Sequence, residues 1–101
     1  MKYGTIAKYK VKPCNSETFI QEMEKIEMAP PAGWLYSTTF RSTTDPNEIW
    51  VSIVFESEEA YKKSANSPEM DKQYRATLDR LQGAPEWHDG HVIHEGMRKP
   101  A

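Results

Sequence analysis

The stretch Glu48-Ile49-Trp50-Val51-Ser52-Ile53-Val54-Phe55-Glu56-Ser57-Glu58-Glu59-Ala60-Tyr61 decides the fold. Its first half alternates: Ile49, Val51, Ile53 and Phe55 fall on one side of an extended chain, Trp50 and Val54 on the other. Apolar residues on both sides describe a central strand over residues 48–56, covered on both faces. Which side meets the helices is open at this point. Ser57 then offers a hydroxyl to cap a helix whose first turn carries Glu58 and Glu59, and Glu58–Lys62 and Glu59–Lys63 stand four residues apart on its exposed side.

Upstream, Thr43-Thr44-Asp45-Pro46-Asn47 is a turn cluster, and residues 34–42 are β-rich, with Trp34, Tyr36, Thr38 and Phe40 on one face. These two strands read as a hairpin. Before them, Ala29-Pro30-Pro31-Ala32-Gly33 stops an amphipathic helix over residues 16–28, whose apolar positions are Phe19, Ile20, Met23 and Ile26, with Asn15 or Ser16 placed to cap it. The chain opens on a strand over residues 2–12 with Tyr3, Thr5, Ala7, Tyr9 and Val11 on one face. Downstream, Asn66-Ser67-Pro68 breaks and restarts the helix, its stripe runs Met70, Tyr74, Leu78, Leu81, and Gly83 is its expected end. The turn-prone Asp89-Gly90 leads to a last strand over residues 91–95 and a loose polar tail from Gly96.

The order β-α-β-β-α(α)-β predicts a ferredoxin-like α+β fold: βαββαβ, a four-stranded antiparallel sheet, helices on one face. One domain over residues 1–101, with an ordered core of about 2–95, is expected. The sheet face without helices needs another cover, which a homodimer through sheet faces supplies.

Composition narrows the function. The 101 residues carry 13 Lys+Arg and 15 Asp+Glu, a net charge of −2, so neither a basic nucleic-acid footprint nor a polybasic membrane patch exists. Only 38% of residues are hydrophobic and the mean hydropathy is −0.78, yet three Trp, five Tyr and three Phe speak against disorder. A chain so small and polar has room for one modest cavity. Its start lacks the apolar core of a signal peptide and no run approaches a membrane span, so a cytoplasmic protein is expected. The single cysteine, Cys14, rules out an internal disulfide and is expected to be a small buried thiol.

Among groups able to do chemistry, His88, His91 and His94 come first. His91 and His94, three apart on the expected strand, point to opposite faces and cannot share one ion, so no metal site is expected. His94 shares a face with Val92, where an imidazole serves as base or hydrogen-bonding group. The five glycines are scattered and form no phosphate loop, and the carboxylates sit beside lysines on helix surfaces. What remains is the aromatic set Tyr9, Trp34, Tyr36, Phe40, Trp50, Phe55, Tyr61 and Tyr74, read either as core and dimer interface or as the lining of a cavity for a flat apolar ligand.

The run from Trp50 to Tyr61, with Glu56-Ser57-Glu58-Glu59-Ala60-Tyr61 matching "(D/E)-S-x-E-A-(F/Y)", then Asn66-Ser67-Pro68-Glu69 and Tyr74, resembles the antibiotic biosynthesis monooxygenase (ABM) family. The Pro85-Glu86-Trp87-His88-Asp89-Gly90 turn is similar to that of a bacterial subgroup. The resemblance implies a dimeric α/β barrel with a cavity between sheet and helices in each subunit. It implies a cofactor-independent monooxygenase acting on a small aromatic or quinol-type compound, in which the deprotonated substrate is the reductant for oxygen and no cofactor is needed. His94 and Tyr74 would then be catalytic, and Tyr9, Tyr36, Trp50 and Ser64 would bind the ligand. A haem-degrading branch of the superfamily uses a strand Asn, a helix Trp and a helix His; these positions fall at Ala7, Ser64 and Tyr74, so haem degradation is not expected. The alternative is a non-catalytic small-molecule-binding or accessory protein on the same dimeric fold.

Overall fold

The structure, a computed structural model, describes residues 1–98. Strand β1 (Tyr3–Lys10) is paired on both edges. β3 (Glu48–Phe55) runs antiparallel to it with Tyr3 opposite Phe55 and Tyr9 opposite Ile49. On its other side β4 (Glu86–His91) places Ala7 opposite Trp87 and Thr5 opposite Asp89. β2 (Trp34–Arg41) joins the far edge of β3, giving the order β2-β3-β1-β4. Helices α1 (Ser16–Met28), α2 (Glu58–Ala65) and α3 (Pro68–Leu78) complete a ferredoxin-like α+β fold.

The core settles the phase of the central strand. Tyr9, Val11, Ala7, Ile49, Val51, Phe19 and Leu81 form one buried cluster, against which Ile20, Met23 and Ile53 pack. The Ile49/Val51/Ile53/Phe55 side therefore meets the helices, while Trp50 turns to the opposite face beside Phe40 and across from Lys8. Ser57 and Ser67 cap α2 and α3 as expected, accepting from the Ala60 and Met70 amides at 3.1 and 3.2 Å. Asn15 precedes α1, but its side chain bonds the Pro13 carbonyl instead of a helix amide.

Four expectations need correction. The last strand is not 91–95 but Glu86–His91: β1 has a free edge whose amides and carbonyls require partners, and this outweighs the local turn preference of Asp89-Gly90. Helix α3 ends at Leu78, before Gly83, because the chain then joins the extension of β1: Leu81 bridges Val11 and Gln82 N donates to the Lys10 carbonyl at 2.8 Å. A register irregularity between Trp34 and Tyr36 puts these two on different faces, Trp34 opposite Phe55 and Tyr36 opposite Val54. Cys14 is exposed, at φ 66°, where it turns the chain from β1 into α1. The tail expected to be loose includes residues 99–101, which lie outside the described residues.

Gly33 holds the entry to β2 against α2. Its φ is 86°, and a Cβ there would lie 2.6 Å from Ala60 Cβ. Gly33→Ala is expected to lower the unfolding free energy by about 1–3 kcal/mol. Gly83→Ala, which meets nothing within 4 Å, should stay within about 0.5 kcal/mol of the parent. Urea titrations of the two variants side by side check both numbers.

Candidate functional site

Because β4 is a strand, Trp87, Asp89 and His91 share the helix-facing side of the sheet, next to Ala7, Thr5 and Tyr3 respectively. Helix α2 lowers Tyr61 onto this corner. The Tyr61 ring packs 5.3 Å from that of Tyr3 and 5.6 Å from that of Phe55, and its hydroxyl donates to Asp89 Oδ1 at 3.1 Å. Burial first, and then the negative charge of Asp89, push the Tyr61 phenol up to about 12. The Thr5 hydroxyl offsets part of this rise; it is buried beside Tyr61 without a formed hydrogen bond. His91 presents its ring edge to Tyr3, 5.0 Å between centroids, and holds Nε2 3.4 Å from Glu58 Oε1. The Lys62 ammonium, 2.7 Å from the other Glu58 oxygen, is the main reason that this carboxyl sits below its ordinary range.

One step along the strands, a second aromatic group continues the wall. Tyr9 packs against Phe19 at 4.9 Å and against Trp87 at 5.8 Å, and Tyr74 of α3 lies 6.3 Å from Trp87. The Tyr9 phenol is pushed well above its ordinary value, chiefly by burial. The charge that Tyr61 and Tyr74 would gain on ionising adds to the effect. Tyr9 is buried, whereas Trp87, on the helix side of β4, and Tyr74, on α3, keep 43% and 37% of their surface exposed. Trp87 and Tyr74 thus offer adjoining, half-exposed ring surface where α3 meets the edge strand, with the Tyr61–Asp89 hydrogen bond farther along β4.

The expected site residues divide among three places. Tyr9 and Tyr74 come together through Trp87. Ser64 is buried on α2 and lines a separate groove of about 390 Å³ between the end of α1, α2 and α3, with Ile26, Ala60 and Met70 among its walls. Tyr36 and Trp50 are on the opposite sheet face, Tyr36 with the Lys2 ammonium 5.9 Å from its ring centroid. They do not face the helices, because the larger aliphatic set of β3 occupies that side. His94 lies beyond β4, outside the sheet on which its facing direction was argued. Between sheet and helices, Tyr9, Phe19 and Val51 belong to the buried core. Sequence reasoning missed Trp87, Asp89 and the pairing role of Tyr61. Their period-two spacing, Trp87-Asp89-His91, was the available signal once residues 86–91 are read as extended. Among the described residues no group of three or more His, Cys, Asp or Glu could hold a metal ion. No helix among them is long and apolar enough to cross a membrane.

These features define a small ferredoxin-like α+β protein with a cluster of aromatic side chains, Tyr9, Tyr74 and Trp87, at the edge of its sheet. The chain belongs to the antibiotic biosynthesis monooxygenase family, which it matches over residues 3–77. Solved structures share the fold. A candidate antibiotic biosynthesis monooxygenase from Chloroflexus aurantiacus superposes with a TM-score of 0.79 at 21% identity, covering 96% of this chain and 98% of that one. SnoaB, a cofactor-independent oxygenase from Streptomyces nogalater, in a mutant form, gives 0.79 at 14% identity over 93% and 95% of the two chains. A conserved protein from Methanosarcina mazei gives 0.78 at 14% identity over 90% and 92%. At these identities the likeness is one of fold. No curated protein matches the chain.

The raised Tyr61 phenol has a consequence for stability. Below pH 10 the group is protonated folded or unfolded; above it the unfolded chain ionises first, so its contribution is lost as pH rises from about 10 to about 12. Melting temperatures measured across that window should fall, and Tyr61→Phe should flatten the decline.

Proposed function

We propose that the protein is an oxidoreductase of the antibiotic biosynthesis monooxygenase type, acting with molecular oxygen on a small aromatic or quinol-type compound in the cleft between α3 and β4. The observation that carries this reading is the pair Trp87–Tyr74, two rings that face the protein interior and remain 43% and 37% exposed. Interior-facing aromatic surface left open beside hydroxyls suits a flat ligand with a polar edge. Family membership and the fold shared with SnoaB support oxygen chemistry in which the substrate is its own reductant.

For an anthrone-type substrate the balance closes without another reductant. The ring-flanked CH2 loses a proton, and its carbanion transfers electrons to oxygen. The carbon-bound hydroperoxide then loses water to leave a carbonyl, so one O2 yields one carbonyl oxygen and one water. The protein would hold the ring against Trp87 and stabilise the anion through hydroxyl donors. Tyr74, on the open wall, is the donor best placed for this. Tyr9, deeper and packed between Phe19 and Trp87, would shape the floor.

The second reading, a non-catalytic binding protein on the same fold, is favoured by the filled space above Tyr9, which leaves an open cleft instead of an enclosed chamber. Oxygen uptake with a panel of anthrones and quinols separates the two. The expected result is uptake above a buffer blank that falls about tenfold or more in Tyr74→Phe and further in Trp87→Ala. Binding without uptake across the panel would establish the second reading.

The proposal includes a homodimer through the outer sheet face. Ile6 and Phe40 expose 54% and 53% of their surface there, beside Trp50, around a shallow concavity of about 370 Å³. Such a contiguous apolar patch is what a second copy would cover. Sizing by light scattering should give twice 11.7 kDa, and Phe40→Glu should return the monomer with its circular dichroism unchanged.

A further inference from the structure

Asp89 stands two residues from Trp87 on the same side of β4, so the carboxylate adjoins the ring a ligand would lie on. One oxygen, Oδ1, is engaged by the Tyr61 hydroxyl at 3.1 Å, and the residue is otherwise exposed to solvent. Behind Tyr61 lies the buried Thr5 hydroxyl, directly opposite Asp89 in the β1–β4 register and without a hydrogen bond of its own. Tyr61, Thr5 and Asp89 thus come from three elements, α2, β1 and β4, and meet at one point.

We propose that Asp89, held in position by Tyr61, is the specificity-determining group of the cleft: it accepts the hydroxyl hydrogen of an aromatic ligand whose ring lies on Trp87. An ionised carboxylate has acceptor sites only, so it favours a ligand carrying an O–H and disfavours the same skeleton with the hydroxyl capped. Tyr61 donates its own proton to Oδ1, which fixes the carboxylate and leaves Oδ2 for the ligand. The Thr5 hydroxyl, opposite Asp89 on β1, is buried without a hydrogen-bond partner. Tyr61 is a positioning residue here, and Asp89 is the one that touches the ligand.

The inference rests on the cleft being the ligand site, and the test separates the two. 2-Naphthol and 2-methoxynaphthalene differ by the capping of one hydroxyl. Titrated into the full chain at pH 7, each is followed by calorimetry, with the Trp87 indole N–H signal in NMR spectra as reporter of the site. The wild type should bind the naphthol about tenfold more tightly, the ratio for one hydrogen bond to a charged group. Asp89→Ala should bring the two affinities together by weakening the naphthol alone, and the isosteric Asp89→Asn should reduce the ratio severalfold. Tyr61→Phe should keep the Trp87 response to both compounds and lower the ratio. Equal affinities for the wild type, or a ratio untouched in Asp89→Ala, would overturn the role of Asp89 and leave the cleft intact. Failure of both compounds to move Trp87 would overturn the cleft as ligand site, and the role of Asp89 with it.

Discussion

Strand β1 has to find partners along both edges, and most of the molecule follows from that demand. Unpaired amides and carbonyls inside a sheet cost about as much as lost hydrogen bonds, so a buried central strand without neighbours is not a stable object. On one edge β3 approaches so closely that a Cβ at Gly4 would overlap the Ile53 carbonyl oxygen, 2.0 Å away. On the other, β1 takes the strand Glu86–His91, and Val92 N still reaches the Lys2 carbonyl at 2.9 Å. Past Lys10, the ladder continues through Val11–Leu81 and the Lys12 amide to Arg80 O at 2.8 Å. The end of α3, the start of β4 and the burial of Leu81 are thus all consequences of completing one strand.

This explains which parts of the structure were legible in the sequence. β1, α1, β2, β3 and the two serine-capped helices depend on local information: alternation, helical spacing, and a hydroxyl followed by acidic residues. β4 carries no such information. Glu86-Trp87-His88-Asp89-Gly90-His91 has one large apolar residue and a turn-forming pair, and it is extended because β1 requires it. A strand specified by its neighbour is invisible to a reading made one segment at a time. The irregularity at Trp34/Tyr36 is similar, since a single extra residue reverses the facing of everything before it.

The candidate site inherits that blind spot. Tyr9 and Tyr74 were identifiable as aromatics on predicted elements, but their meeting point is Trp87, which lay in the segment read as a turn. Asp89 lies in the same segment, and His94 shares a face with Val92 only if the last strand spans 91–95 rather than Glu86–His91. Trp50 and Tyr36 failed differently. Their residue type was right for a ligand wall, but strand phase put them on the other face, and phase depends on whether the aliphatic or the aromatic set of β3 meets the helices. The aliphatic set includes Ile49 and Val51, both essentially without exposed surface. The core therefore took the residues that close-pack and left Trp50 outside.

The two sheet faces consequently present different apolar surfaces, and their shapes favour different occupants. The outer face is an array of Ile6, Phe40 and Trp50 side chains standing on three strands, broad enough to meet another sheet and without buried polar groups to read a small ligand. The helix side offers less surface but more polar groups: two half-exposed rings in contact, Tyr9 packed behind one of them, and a carboxylate held by Tyr61. A flat molecule on the outer face would leave most of that patch wet, whereas one laid over the exposed faces of Trp87 and Tyr74, which adjoin at 6.3 Å, would cover both rings. Covering them would gain on the order of 25 cal/mol per Å² of apolar area removed from water, and that gain would fall where a polar edge can also be satisfied. The polar groups that a small ligand would need therefore lie on the helix side at the edge of the sheet, beside the strand that exists because β1 needed a partner.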